Sequence, residues 1–178
     1  MTKIRWDILG AARVNERLMP AIVQSDIGEL IAIGSRRSGA SKECLLKYLP
    51  EYEDKVSCFD GFDQVINHEK VDAIYIPLAN EEHTEVSLKA IRAGKHVLIE
   101  KPMAIKSEEV KILTEEASKN NVKIMRKLSR NYHQNNPRFI PNRTHIYSTN
   151  IQQISNKQEF YLNSSTSQFL EYHYLLQF

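Results

Sequence analysis

The chain has 178 residues, 42% hydrophobic and 26% charged, with a formal charge of +2. That length holds one full domain with an appendage, and that apolar share fills a sizeable core. The near balance of charge, with no dense Lys/Arg patch carrying interleaved aromatics, argues against a nucleic-acid surface. No apolar run reaches the length of a membrane span. Met1-Thr2-Lys3 leads directly into a strand-like run, so no signal peptide is read. Cys44 and Cys58 are isolated and form no CxxC pair, so reduced thiols and a cytoplasmic location are expected.

Residues 1–125 alternate apolar strand-like runs with amphipathic helical ones. Residues 4–9 predict the first strand, and a helix follows through residues 19–23. Residues 30–33 are the second strand. A helix covers residues 41–49, with Ser41 as N-cap and Pro50 as its stop. Residues 56–58 make a short third strand. A short helix over 62–67 places Phe62, Val65 and Ile66 on one face. Residues 73–76 are the fourth strand, and the helix over 82–93 ends at Gly94. Residues 96–99 are the fifth strand. The next helix opens at Ser107, its N-cap, with Glu108 and Glu109 in the first turn. Residues 122–125 are the sixth strand. Six strands alternating with helices predict an α/β fold with a doubly wound parallel sheet, Rossmann-like; the strand order is not visible in the sequence, and 3-2-1-4-5-6 is the usual one for this architecture.

Residues 126–178 differ. They contain no Gly, Ala, Val, Asp or Cys, and Asn, Gln, Ser and Tyr crowd in instead. All six glycines of the chain lie at or before Gly94. Without small residues for turns and close packing, this stretch reads as a poorly ordered, irregular tail. An accidental reading frame and an interaction segment both fit it.

Ligands of open α/β sheets sit outside the carboxyl ends of the strands. Four strand ends carry candidate residues there. After the first strand comes Gly10-Ala11-Ala12-Arg13-Val14-Asn15. It keeps the first glycine of G-x-G-x-x-G, puts Ala12 at the third place and Asn15 at the sixth. It opens a helix whose N–H groups face an anion; a tight turn without ligand is the bland alternative. After the second strand comes Gly34-Ser35-Arg36-Arg37. Guanidinium groups there, in place of an acid that would accept from a ribose 2′-OH, favour the 2′-phosphorylated cofactor NADP over NAD. Ser35 and Arg36 are the stronger candidates, Arg37 the weaker. After the fourth strand, Asn80 reads as a helix cap and His83 lies in the first turn beside the cleft. The fifth strand ends in Glu100-Lys101-Pro102. A lysine at that position can hydrogen-bond to a reacting hydroxyl and help move its proton.

Together, Glu100-Lys101-Pro102, the Gly10-Ala11-Ala12-Arg13 turn, Ser35-Arg36, and Asn80 with His83 resemble the Gfo/Idh/MocA oxidoreductases. The phrases Trp6-Asp7-Ile8-Leu9-Gly10-Ala11-Ala12 and Ala90-Ile91-Arg92-Ala93-Gly94-Lys95-His96-Val97 are similar as well. The resemblance covers residues 4 to about 125, the family's nucleotide-binding domain. It implies that the Gly10 turn holds the pyrophosphate, that Asn80 and Glu100 lie near the nicotinamide ribose, and that Lys101 is the catalytic lysine. It implies hydride transfer to or from a sugar, polyol or diol. The family's second, substrate-binding domain has no counterpart in residues 126–178. The expectation is therefore a truncated oxidoreductase with little activity, or else a non-catalytic nucleotide-binding module with an interaction tail. Apolar surface left bare by a missing half would favour self-association. No metal site is read.

Overall fold

The computed structural model describes residues 3–127. The tail expected over 126–178 therefore lies outside the described residues, apart from Arg126 and Lys127. The elements run β1 (Ile4–Leu9), α1 (Asn15–Val23), β2 (Gly28–Ser35), α2 (Ala40–Tyr48), a 3-10 turn (Pro50–Tyr52), β3 (Ser57–Asp60), α3 (Asp63–Ile66), β4 (Ala73–Ile76), α4 (Asn80–Arg92), β5 (His96–Ile99), α5 (Ser107–Lys119) and β6 (Ile124–Arg126). All neighbouring strands pair in parallel, in the order β3-β2-β1-β4-β5-β6. This is the doubly wound order, with the winding reversing at β1.

Alternate side chains of each strand point to opposite faces and build two cores. Trp6, Ile8, Tyr75 and Leu98 pack with Leu18, Met19 and Ile22 of α1 and Leu45 of α2. Leu9, Ile74, Ile76, Val97 and Ile99 pack with α3, α4 and α5 through Val65, Ile91 and Leu113. A sheet covered on both faces explains why β4 and β5 are continuous apolar runs rather than alternating ones. Among the described residues, no helix is long and apolar enough to cross a membrane. Cys44 and Cys58 are both free.

Helix starts depart from expectation in three places. Gly39, not Ser41, precedes α2, at φ 74°. Asp60 from the end of β3 accepts from the Gly39 N–H at 3.0 Å and from the Ser38 hydroxyl at 2.5 Å. Ala79, not Asn80, is the N-cap of α4, and Asn80 is its first residue. Lys106, not Ser107, precedes α5; the Glu109 carboxylate accepts from the N–H groups of Ile105 and Lys106, at 3.1 and 3.0 Å. In the first case Asp60, from another strand, binds the main chain at the helix start; in the third Glu109, in the first turn of α5, reaches back to the N–H groups just before it, as in a capping box. β2 and β3 also run later than read, to Ser35 and Asp60, and β6 passes residue 125.

Asp7, in the middle of β1, is fully buried, and neither of its oxygens is hydrogen-bonded. Burial pushes its carboxyl up to about 7; the nearby Ala32 N–H, outside hydrogen-bond geometry, and the Lys95 ammonium offset only part of that. His68 Nδ1 stands 3.8 Å from Asp7 Oδ2. The Lys95 ammonium donates instead to the carbonyls of His68 and Val71, at 2.8 and 2.9 Å.

Candidate nucleotide site

The main-chain ladder continues past the ends of the strands. The Gly10 N–H donates to Gly34 O at 2.8 Å, Glu100 to Ile76 O at 3.2 Å, and Lys127 to Ile99 O at 2.8 Å. The registers pair Leu9 with Gly34, Ile8 with Tyr75, Ile76 with Ile99, and Ile99 with Arg126. Carried forward, they set Ser35, Gly10, Pro77, Glu100 and Lys127 in a single row across the carboxyl rim of the sheet. Neighbouring strands lie about 5 Å apart, so Gly10 and Glu100 are about 10 Å apart along the row.

Gly10 is at φ 123°, which disfavours any residue with a Cβ, and a Cβ there would approach Leu78 Cδ2 to 2.8 Å. The turn therefore packs directly on the Leu78 side chain and on Pro77. Asn15 closes it from below. Its side chain is fully buried and donates to Gly10 O at 2.8 Å and to Cys44 Sγ at 3.3 Å. The sixth place of the glycine pattern is thus filled by an amide that ties the turn back on itself. The Asn15 N–H bonds to Ala12 O at 3.0 Å, so the N–H groups of Ala11, Ala12 and Arg13 precede the first bond of the α1 turn. Such groups suit an anion.

Beside the turn, Ala11, Ala12, Arg13, Arg37, Cys44 and Tyr48 line an open groove of about 870 Å³. Ser35 ends β2 and is buried. The two arginines after it diverge. Arg36 pairs with Glu82 of α4 at 2.5 Å and lies 5.4 Å from the centre of the Phe62 ring. Arg37 pairs with Glu43 of α2 at 2.6 Å, on the wall of the groove. That pairing holds the Glu43 carboxyl below its ordinary range. The residue ranked lower from sequence is therefore the one that shares a groove with the glycine turn.

His83 is fully buried. Its Nδ1 is 2.7 Å from Pro102 O and its Nε2 is 3.1 Å from Leu78 O. Carbonyls only accept, so the ring faces main chain on both sides and braces the Leu78 loop against the Lys101–Pro102 segment, whose peptide bond is cis. Asn80 is exposed at the start of α4.

Lys101 follows β5 and is exposed at the rim. Glu100, half-buried, accepts on Oε1 from the Tyr75 hydroxyl and from the Lys127 ammonium. Its Oε2 meets the Lys101 N–H at 3.4 Å. Sequence reasoning missed Tyr75 and Lys127. Tyr75 was read as strand core, and Lys127 lay beyond the apparent domain edge. The signal was the register itself: Tyr75 is the diagonal neighbour of Glu100, and Lys127 its direct cross-strand partner.

These residues fit a dinucleotide. A glycine without room for a Cβ, loose N–H groups, guanidinium groups beside them, and an acid and amine about 10 Å along the rim suit two phosphates and a second ribose. Among the described residues, no group of three or more His, Cys, Asp or Glu is placed to hold a metal.

The 1,5-anhydro-D-fructose reductase of Ensifer adhaerens is 33% identical over 107 residues, which is 60% of this chain and 31% of that protein. The dTDP-3,4-didehydro-2,6-dideoxy-alpha-D-glucose 3-reductase of Actinomadura kijaniata is 35% identical over 101 residues, 56% of this chain and 29% of that one. A crystal structure of a 3-ketoreductase from Actinomadura kijaniata, in complex with TDP-benzene and NADP, superposes with a TM-score of 0.65 at 29% identity. It covers 71% of this chain and 38% of that one. The chain thus spans about a third of the length of the curated relatives it matches. Residues 4–128 match the profile of the Gfo/Idh/MocA group, described as an oxidoreductase family with an NAD-binding Rossmann fold. This chain belongs to that family.

Proposed function

We propose that the chain binds NADP across the carboxyl rim, with the pyrophosphate at Gly10, Ala11, Ala12 and Arg13 and the 2′-phosphate near Ser35, Arg36 and Arg37. The observation that carries this reading is the single row joining Ser35, Gly10 and Glu100. Asn80 and Glu100 lie toward the nicotinamide ribose, and His83 supports the cleft through the main chain it contacts. The bound cofactor supplies hydride chemistry, accepting or giving a hydride at its nicotinamide ring. Lys101 hydrogen-bonds to the oxygen of the reacting carbon and takes or returns its proton. The substrate class is a small carbonyl or hydroxyl compound of the sugar, polyol or diol type, and the setting is the cytoplasm. NADP in a solved relative and sugar-directed names among the relatives support this.

Nucleotide binding is what residues 4–127 themselves account for; substrate and reaction are proposed for the protein as a whole. Titration with NADPH and with NADH, by fluorescence, tests the first part. We expect NADPH to bind more tightly, by on the order of tenfold, since the rim offers guanidinium groups and no ribose-binding acid after β2. Equal affinity, or none, contradicts it. Assay of the same sample with sugars and diols tests the second part: binding without turnover favours a non-catalytic module or a truncated oxidoreductase, and steady hydride transfer favours an active enzyme.

A further inference from the structure

Three observations converge on the groups that hold Glu100. Lys127 is buried, 9% exposed, although it is a lysine directly after the edge strand β6. Lysines are seldom buried unless paired. Its ammonium meets Glu100 Oε1 and lies 5.9 Å from the centre of the Tyr75 ring. The Tyr75 hydroxyl, from a fully buried ring, donates to that same oxygen. Two donors on two different strands thus fix one oxygen of one carboxylate.

The other oxygen is treated differently. Among the described residues, Oε2 is met only by the Lys101 N–H, and 3.4 Å is long for an N–H···O bond. A carboxylate has about four acceptor positions. With Oε1 held from below by Tyr75 and from β6 by Lys127, acceptor capacity remains on the oxygen next to Lys101. An ordinary cross-strand pair on an edge strand could serve stability alone. The Tyr75 bond and the uneven use of the two oxygens set this one apart.

We propose that Lys127 is a positioning residue of the nucleotide cleft: with Tyr75 it fixes Glu100 so that Oε2 accepts a hydroxyl of the nicotinamide-side ribose. This rests on the dinucleotide reading above. Lys127 does not touch the nucleotide; it acts through Glu100. The Gly10 end of the rim is independent of it, since four strand positions separate Lys127 from Ser35 in the row.

The test uses the full chain and two ligands. NADPH reaches both ends of the row, whereas adenosine 2′,5′-bisphosphate reaches only the Gly10 and Ser35 end. Lys127→Met is expected to weaken NADPH on the order of tenfold, as loss of a charge-assisted bond implies. The bisphosphate should change less than about twofold, as a distant independent site implies. Lys127→Arg should recover most of the NADPH affinity. In a Glu100→Gln background, Lys127→Met should have no further effect on NADPH.

Thermal midpoints of every variant separate affinity from folding. If Lys127→Met does not fold, Lys127→Gln takes its place. The proposal is overturned if Lys127→Met weakens both ligands alike, which marks a packing role, or if it changes neither. Additive losses in the double variant overturn it too. If the unaltered chain binds neither ligand, the dinucleotide reading itself fails and this one falls with it. If it binds both and the variants show no split, only the role of Lys127 fails.

Discussion

At the Gly10 end of the rim, the two arginines after β2 are exposed, and each pairs with one carboxylate. Arg37 and Glu43 have side chains 68% and 64% exposed. Arg36 is similarly open against Glu82. At the Glu100 end, the carboxylate, the phenol of Tyr75 and the ammonium of Lys127 are drawn together in a largely buried cluster, with Lys127 and Glu100 only 10% and 20% exposed. Exposed ion pairs contribute little and are screened by salt. Breaking a buried one is costly. One end of the row can therefore exchange a carboxylate for a phosphate at small cost. The other is set before any ligand arrives. Recognition at the first end is by exchange of ionic partners, and at the second by prior placement.

The strongest way to break this comparison is at Gly10. Gly10→Val puts a branched side chain at φ 123° against Leu78 and distorts the turn whose N–H groups would hold a phosphate. NADPH affinity should fall on the order of a hundredfold or more, well above the loss from a single charged contact. Lys101→Met, at the other end, should leave NADPH affinity within about threefold while abolishing hydride transfer in any active form. Titration and turnover assays on the two variants check this. Loss of NADPH binding in both would erase the distinction.

A smaller effect sharpens the exchange idea. Arg37→Ala should lower the preference for NADPH over NADH on the order of tenfold, and Arg36→Ala should lower it less, about threefold, because Arg36 is turned toward Glu82 and Phe62. Paired titrations at two salt concentrations read both. The preference should shrink with salt in the unaltered chain. The reverse ranking of the two arginines would restore the order read from sequence.

The smallest expected effect on the rim comes from a buried charge beneath it. Asp7 has its folded-state carboxyl raised to about 7, above its ordinary 3.8. A raised acid contributes stability that is fully present below the ordinary value and is lost as pH rises through the folded one. Stability should therefore decline between about pH 4 and pH 7, by at most about 1.4 kcal/mol per pH unit. Asp7→Asn should flatten that decline and raise the thermal midpoint at pH 8, while NADPH affinity stays within about twofold. Thermal melts across pH check it, and a slope unchanged by the substitution would contradict the burial argument.

Strand identities were legible in the sequence because strands buried on both faces, such as Ala73–Ile76 and His96–Ile99, are continuous apolar runs. The strand order was not legible in the residues themselves; the observed order is the usual one for a doubly wound sheet. Lys101 and the Gly10 turn were legible because each sits at a strand end marked by glycine or proline. What was not legible depends on distant partners. The direction taken by Arg36 and Arg37 is set by Glu82 and Glu43, and the start of α5 by Glu109. Asn15 read as a departure from a glycine pattern, whereas its buried amide closes the turn. Tyr75 and Lys127 join Glu100 only through register across three strands.

The central claim is that one ligand spans the row from Gly10 to Glu100. Amide chemical shifts of the ¹⁵N-labelled chain during NADPH titration test it most directly. The account predicts that the amides of Ala11, Ala12 and Arg13 and those of Glu100, Lys101 and Met103 move together along one saturation curve. Shifts confined to one of the two groups, or two curves with different midpoints, would contradict it.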